Sequence, residues 1–259
     1  MGTVLNRLYS DYLMPSRLRH YEALLAQARH AGYRQTSVRG WLAALRGGRA
    51  GQQTVLVHRH DIDTDLRTAA RMFALEQKHG VRASYYFRLS TLDFGLMRDI
   101  ERYGSEVGYH YEELASYAKR AHLKQAAAVR ARMGAIRVQF EANFRRIESQ
   151  LGSKIHTVAS HGDFANRRLG VGNAELLDDA ALRQRCGIAC ECYDPELLSS
   201  FDLYISDKPH PQYFHPIAPQ AALGAQRRIC LLTHPAQWRT NWTDSSRHNV
   251  RRLLEGWLW

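Results

Sequence analysis

Four short polar clusters in the 259-residue chain carry side chains of the kinds that bind divalent ions and move protons. They are His60-Asp61-Ile62-Asp63, Gly108-Tyr109-His110-Tyr111-Glu112-Glu113, Ser160-His161-Gly162-Asp163 and Leu231-Leu232-Thr233-His234-Pro235. Asp61 and Asp63 share one face if the preceding strand continues, leaving one carboxylate for an ion and the other for a proton. Two such carboxylates repel, so a positive partner is implied. Asp65 reads instead as the cap of the following helix. His110 and Glu112, also two apart, pair an imidazole nitrogen with a carboxylate oxygen, a donor set suited to zinc or another first-row divalent ion. Glu113 reads as a helix opening. His161 reaches inward from a strand terminus, Gly162 permits close backbone approach to a ligand, and Asp163 is a candidate for orienting a substrate. His234 ends an apolar strand and is followed by a proline that restricts it. Asp207 either orients a site group or makes a turn. Tyr109, Tyr111, Tyr193, Trp238 and Trp242 are candidate sugar-facing platforms, with ordinary core contact as the alternative for each.

Each cluster follows an apolar run of strand type. Thr54–Val57 runs into the first cluster, and Val107–Tyr111, Ile155–Ala159 and Ile229–Leu232 precede the others. Ala83–Leu89, Gly187–Cys192 and Asp202–Ile205 are further strand candidates. Helical periods occupy residues 66–80, a long stretch 114–133, residues 140–151 and a last helix using Val250, Leu253, Leu254 and Leu258. Repeated strand-then-helix order makes a parallel α/β sheet. Reactive residues gathered after several separated strands favour a distorted (β/α) barrel over an open doubly wound sheet. Residues 1–52, with helices at 17–31 and 38–45, read as a helical extension packed on a barrel domain of residues 53–259.

The chain is long enough, at 45% hydrophobic residues, to bury a core without disulfides. Its 36 Lys+Arg against 25 Asp+Glu leave a net charge of +11, which attracts polyanions. No Walker A loop, no Gly-x-Gly-x-x-Gly after an early strand and no zinc-finger or RNA-binding motif accompanies that charge, so no specific nucleic-acid partner is expected. Cys186, Cys190 and Cys192 lack a second Cys/His pair and read as buried small hydrophobes. No apolar run reaches the length of a transmembrane span. Arg7 and Asp11 interrupt the place of a signal peptide, and the expectation is a cytoplasmic protein.

Together the clusters resemble those of the polysaccharide deacetylase family (NodB homology, carbohydrate esterase family 4). That family has an acidic motif after its first strand, a histidine motif after its third and a late Leu-x-x-His. The resemblance covers roughly residues 54–259 and rests on His60-Asp61-Ile62-Asp63, Glu106-Val107-Gly108-Tyr109-His110 and Leu231-Leu232-Thr233-His234. It implies a deacetylase barrel, Asp61 as general base, Asp63 and His110 as ligands of one divalent ion, zinc first, and His234 as general acid. Ile62 separates acids that are adjacent in the family, and Leu114 stands where the family has a second metal-binding histidine. His161 is ranked ahead of Glu112 as the replacement ligand. The family's Arg-Pro-Pro-Tyr segment is absent, and with it the arginine that accompanies the base. The activity so implied is N-deacetylation of an amino-sugar precursor in cell-surface polysaccharide, including lipopolysaccharide, biosynthesis. The alternatives are an inactive carbohydrate-binding homologue and a metal-dependent amidase for a non-sugar amide.

Overall fold

The computed structural model describes residues 2–259, apart from the side chains of residues 2, 3, 52, 252, 257 and 258, so the Leu258 of the expected last helix lies outside the described side chains. Nine strands form one sheet: β1 (Arg34–Thr36), β2 (Val55–Ile62), β3 (Ser84–Phe87), β4 (Glu106–Tyr111), β5 (Thr157–Ser160), β6 (Cys190–Glu191), β7 (Leu203–Asp207), β8 (Phe214–His215) and β9 (Arg228–Thr233). Their order is β6-β5-β4-β3-β2-β9-β7-β8, with β1 beside the first half of β2. Only β8 runs antiparallel to its neighbour. The strands are short, β-branched or aromatic, and joined by helices such as Leu66–His79, Phe94–Tyr103 and Met133–Leu151, so parallel pairing follows. The sheet curls into an α/β half-barrel whose two edge strands do not meet.

Alternation along the strands decides what each face holds. The convex face is apolar: Tyr85, Phe87, Tyr109, Tyr111 and Val158 pack against Phe73, Ile100, Phe140 and Phe144 of the covering helices. Truncating one of these buried rings to alanine costs roughly 3–5 kcal/mol. On the concave face Val55, Val57, Tyr86 and Ala159 meet Trp41 and Leu42 of the helix Val38–Arg46, which fills the half-barrel where the strands begin. The other end, where the strands finish, stays open.

Residues 1–52 contain a strand as well as helices: Arg34, Gln35 and Thr36 pair with Val55, Leu56 and Val57. The expected long helix at 114–133 is corrected to two, Glu113–Arg120 and Ala126–Arg130, because His122 adopts a left-handed backbone (φ 49°) that breaks the period. The helix Phe164–Leu169 and the helical turns after it had no clear period in the sequence.

Candidate metal centre and active site

Strand register brings the four clusters together. His60 pairs with Thr233, so His234 stands beside Asp61; Ile62 pairs with Phe87, so Asp63 stands beside Arg88. Phe87 pairs with Tyr109 and Tyr111 with Ser160, which sets Arg88, His110, Glu112 and His161 in neighbouring positions. Strands about 4.8 Å apart thus deliver all these side chains to one end of the half-barrel. Parity selects among them. Arg59, Asp61 and Asp63 share the concave side, whereas His60 points to the convex side, its Nε2 2.7 Å from Glu76 and its Nδ1 2.5 Å from the Thr233 hydroxyl.

Asp63, His110 and His161 offer one carboxylate oxygen and two imidazole nitrogens, all within 4.8 Å of one another. Asp63 Oδ1 lies 3.2 Å from His110 Nε2 and 3.5 Å from His161 Nε2. A tetrahedral ion with bonds near 2.1 Å holds its ligand atoms about 3.3–3.4 Å apart, the spacing found here. Two further features fit a cation. His110 Nδ1 donates to the Ala159 carbonyl at 2.9 Å, so its Nε2 lone pair is turned toward the carboxylates. Asp63 Oδ1, on the side of the two Nε2 atoms, is buried without an aligned hydrogen bond. Behind His161, Glu112 Oε2 stands 3.2 Å from Nδ1, at ion-pair distance though not in hydrogen-bond alignment, and Arg88 Nη2 donates to the same oxygen at 2.6 Å. Burial opposes the Glu112 charge, but His161 and Arg88 outweigh it and hold the carboxyl at about 2. Glu112 thus stands where an outer carboxylate stands behind a ligating histidine.

The Asp61 carboxylate is 2% exposed and accepts two hydrogen bonds from Arg59, 2.9 Å from Nε and 2.8 Å from Nη2. Arg59 is therefore the positive partner that the paired acids require, supplied two residues upstream on the same strand; the expected lack of an arginine beside Asp61 is corrected. Its guanidinium also faces the Tyr193 ring at 4.5 Å and donates to the Tyr204 hydroxyl at 3.3 Å. Burial raises the Asp61 pKa, and Arg59 more than reverses this, so Asp61 stays ionised below the usual carboxylate range. At the other flank His234 Nδ1 donates to Asp207 Oδ1 at 2.6 Å, while Asp207 Oδ2 accepts from the His234 backbone N–H at 2.7 Å and from Trp238 Nε1 at 2.9 Å. Burial lowers the imidazole's pKa, but Asp207 dominates and raises it to about 9.

Other expected site residues sit elsewhere. Trp238 is fully buried against Tyr21 and Phe214, and Tyr109 and Tyr111 lie in the convex core, so none is a sugar platform; Trp238 acts through Asp207. Asp163, by contrast, lines the cleft and offers a carboxylate oxygen within 4.8 Å of Glu112 and His161, while also capping the helix Phe164–Leu169 and pairing with Lys119 at 2.8 Å. Asp65 caps its helix as expected. The four cysteines are free and buried, the Cys186 thiol pushed up to about 11 by burial. Above the centre opens a cleft of about 820 Å³ that Asp63, Arg88, His161 and Gly162 reach, with Asp244 and Arg247 of the helix Trp242–Leu258 on its far wall. Arg59 and Arg88 were missed in the sequence; strand parity with Asp61 was the available signal for Arg59, and of the two readings of Asp207 the structure places it as the partner of His234.

The half-barrel thus carries an Asp-His-His group that could hold a metal ion, between a buried acid and a carboxylate-bound histidine. No protein-family model matches the sequence, and no curated protein matches it either. Among solved structures, a mutant of a CE4 family pseudoenzyme with restored enzymatic activity is similar over 78% of this chain, at 13% identity and a TM-score of 0.42; the match spans 64% of that protein's chain. A mutant of the peptidoglycan deacetylase PdaC from Bacillus subtilis is similar over 80% of this chain and 98% of its own, at 13% identity and a TM-score of 0.41. Both likenesses are distant, and the chemistry below stands on this chain's own geometry.

Proposed function

We propose that the chain is a metal-dependent N-deacetylase that hydrolyses the acetamido group of an amino-sugar precursor for a cell-surface polysaccharide. One observation carries the reading: Asp63, His110 and His161 converge at ligand spacing with an arginine-held acid on one flank and an aspartate-held imidazole on the other. Asp63, His110 and His161 would hold one divalent ion, zinc first among the candidates, which when bound supplies Lewis acidity toward water and the amide carbonyl. Asp61, kept ionised by Arg59, accepts the proton that water loses as its oxygen attacks the carbonyl carbon. His234, kept protonated by Asp207, gives its proton to the amide nitrogen as the C–N bond breaks, so the products are acetate and a free amine. Gly162 lies in the cleft wall, where its backbone N–H is a candidate donor to the carbonyl oxygen.

An anionic precursor is supported by Arg67, Arg167 and Arg247, which line the cleft and form no ion pair among the described residues. A reducing cytoplasm is supported by the free, buried cysteines. The test is acetate release from acetamido sugars, with and without phosphate, by protein of defined metal content. Release that depends on the metal and is abolished in Asp61→Asn supports the reading. Hydrolysis of non-sugar amides alone would assign another amidase, and sugar binding without hydrolysis in the metal-loaded protein an inactive homologue.

A further inference from the structure

The helix Trp242–Leu258 is turned inside out relative to an ordinary surface helix. Asp244, Arg247, His248, Arg251 and Glu255, at three- and four-residue spacing, line the cleft. Val250, Leu253 and Leu254, on another side, are 60, 69 and 53% exposed. The N-terminal stretch Gly2–Leu8 and Tyr9–Leu13 lies against this helix: Asn249 Nδ2 donates to Asp11 at 2.9 Å and Trp242 Nε1 to the Tyr12 carbonyl at 2.8 Å. It exposes Val4, Leu5, Leu8 and Leu13. Of the eleven exposed large hydrophobic side chains described, eight belong to these two neighbouring segments (Val4, Leu5, Leu8, Leu13, Trp242, Val250, Leu253 and Leu254), so exposed apolar surface is concentrated there.

Charge decides what covers the patch. Arg247 stands three residues before Val250, and Arg251, whose Nε donates to Glu255 Oε1 at 2.8 Å, three before Leu254, so Arg247 sets a basic edge along the apolar stripe and Arg251 joins it as half of an ion pair. Exposed Arg167 and Arg168 of the neighbouring helix lie beside Gly256. A second copy of the chain meeting this face two-fold would bring a second set of these arginines into the same interface, adding like charge there. An anionic lipid surface complements them, and an apolar stripe edged by arginine with a tryptophan at its rim is the pattern of a helix lying in a bilayer interface. We propose that the two terminal segments form a docking face for an anionic membrane, with Leu5, Val250, Leu253 and Leu254 among the acyl chains and Arg247 and Arg251 at the level of the phosphates. The inference does not depend on which amide is hydrolysed.

The test is flotation of the full chain with vesicles of phosphatidylcholine alone and of phosphatidylcholine with phosphatidylglycerol in equal parts. Binding to the mixed vesicles, weakened by salt and lowered at least about tenfold by Val250→Asp with Leu254→Asp, is expected. Leu253→Ser, a milder change at an exposed position, gives a smaller loss in the same direction and serves if the double variant does not fold. No flotation with the mixed vesicles overturns the proposal, as does flotation that neither variant changes. A dimer that both variants dissolve, without vesicle binding, also overturns it and assigns the face to a second copy.

Discussion

Replacing Asp207 by asparagine removes one charge while keeping the side chain's shape, and its effect can be worked out from the contacts of His234. Asp207 raises the imidazole from 6.5 to about 9 against the opposing effect of burial. The acid form therefore prevails at every pH below about 9, and neutral solution finds His234 ready to protonate an amine. Without the charge the imidazole returns to 6.5 or below; a fall from about 9 to 6.5 corresponds to about 3 kcal/mol. At about pH 7.5 the protonated fraction drops from nearly all to roughly one in ten, so kcat/KM falls at least about tenfold there and recovers at about pH 5.5. The assay is acetate release across the pH range by both proteins loaded with the same metal. The alkaline limb should move to lower pH in Asp207→Asn. An alkaline limb that stays in place, or a defect equal at all pH values, would refute the reasoning. The sign for stability is the same: the pair's contribution is complete below pH 6.5 and disappears as the pH rises through about 9.

Arg59→Met leaves the buried Asp61 charge without its two hydrogen bonds and with only His110 at 3.5 Å, and should destabilise the fold by about 3 kcal/mol in denaturant titration. Adding Asp61→Asn to that variant should restore much of the stability and none of the activity. Glu112→Gln removes the negative charge behind His161, and direct metal titration should show affinity about 10–100-fold weaker with the fold retained. In the native protein the depressed Glu112 carboxyl contributes stability above pH 4.5 that is lost as the pH falls through about 2. Gly108→Ala would place a Cβ 2.3 Å from the Tyr86 ring and 2.8 Å from the Thr157 carbonyl oxygen, two residues before His110. A loss of roughly 1–3 kcal/mol, with weakened metal binding, is expected and measurable by thermal melting.

The sequence makes the strand-end clusters legible because a buried strand must be apolar and its end is where polar residues first become tolerable; Val55–Val57 and Ile229–Leu232 announce Asp61, Asp63 and His234 in this way. Parity foretells that Asp61 and Asp63 share a face, and it places Arg59 there too, but a strand arginine reads as charge until its partner is seen. Arg88 and Glu112 come from neighbouring strands, and only register joins them. β1 was invisible because Arg-Gln-Thr carries no apolar signal; it pairs with Val55–Val57, the stretch of β2 that β3 does not reach. The break after Arg120 was hidden for a related reason, since apolar spacing continues through residues that a left-handed His122 separates. Asp207 read either as a residue that orients a site group or as a turn, and only the pairing of β7 with β9, which no local pattern encodes, joins it to His234.

Anomalous diffraction from crystals of the protein grown with zinc, collected on both sides of the zinc edge, addresses the metal centre most directly. A single strong peak within bonding distance of Asp63 Oδ1, His110 Nε2 and His161 Nε2, with Glu112 outside the coordination sphere, is the result expected. A peak on Glu112 and Asp163 instead, or full zinc occupancy at a site lacking Asp63 and His110, would contradict it.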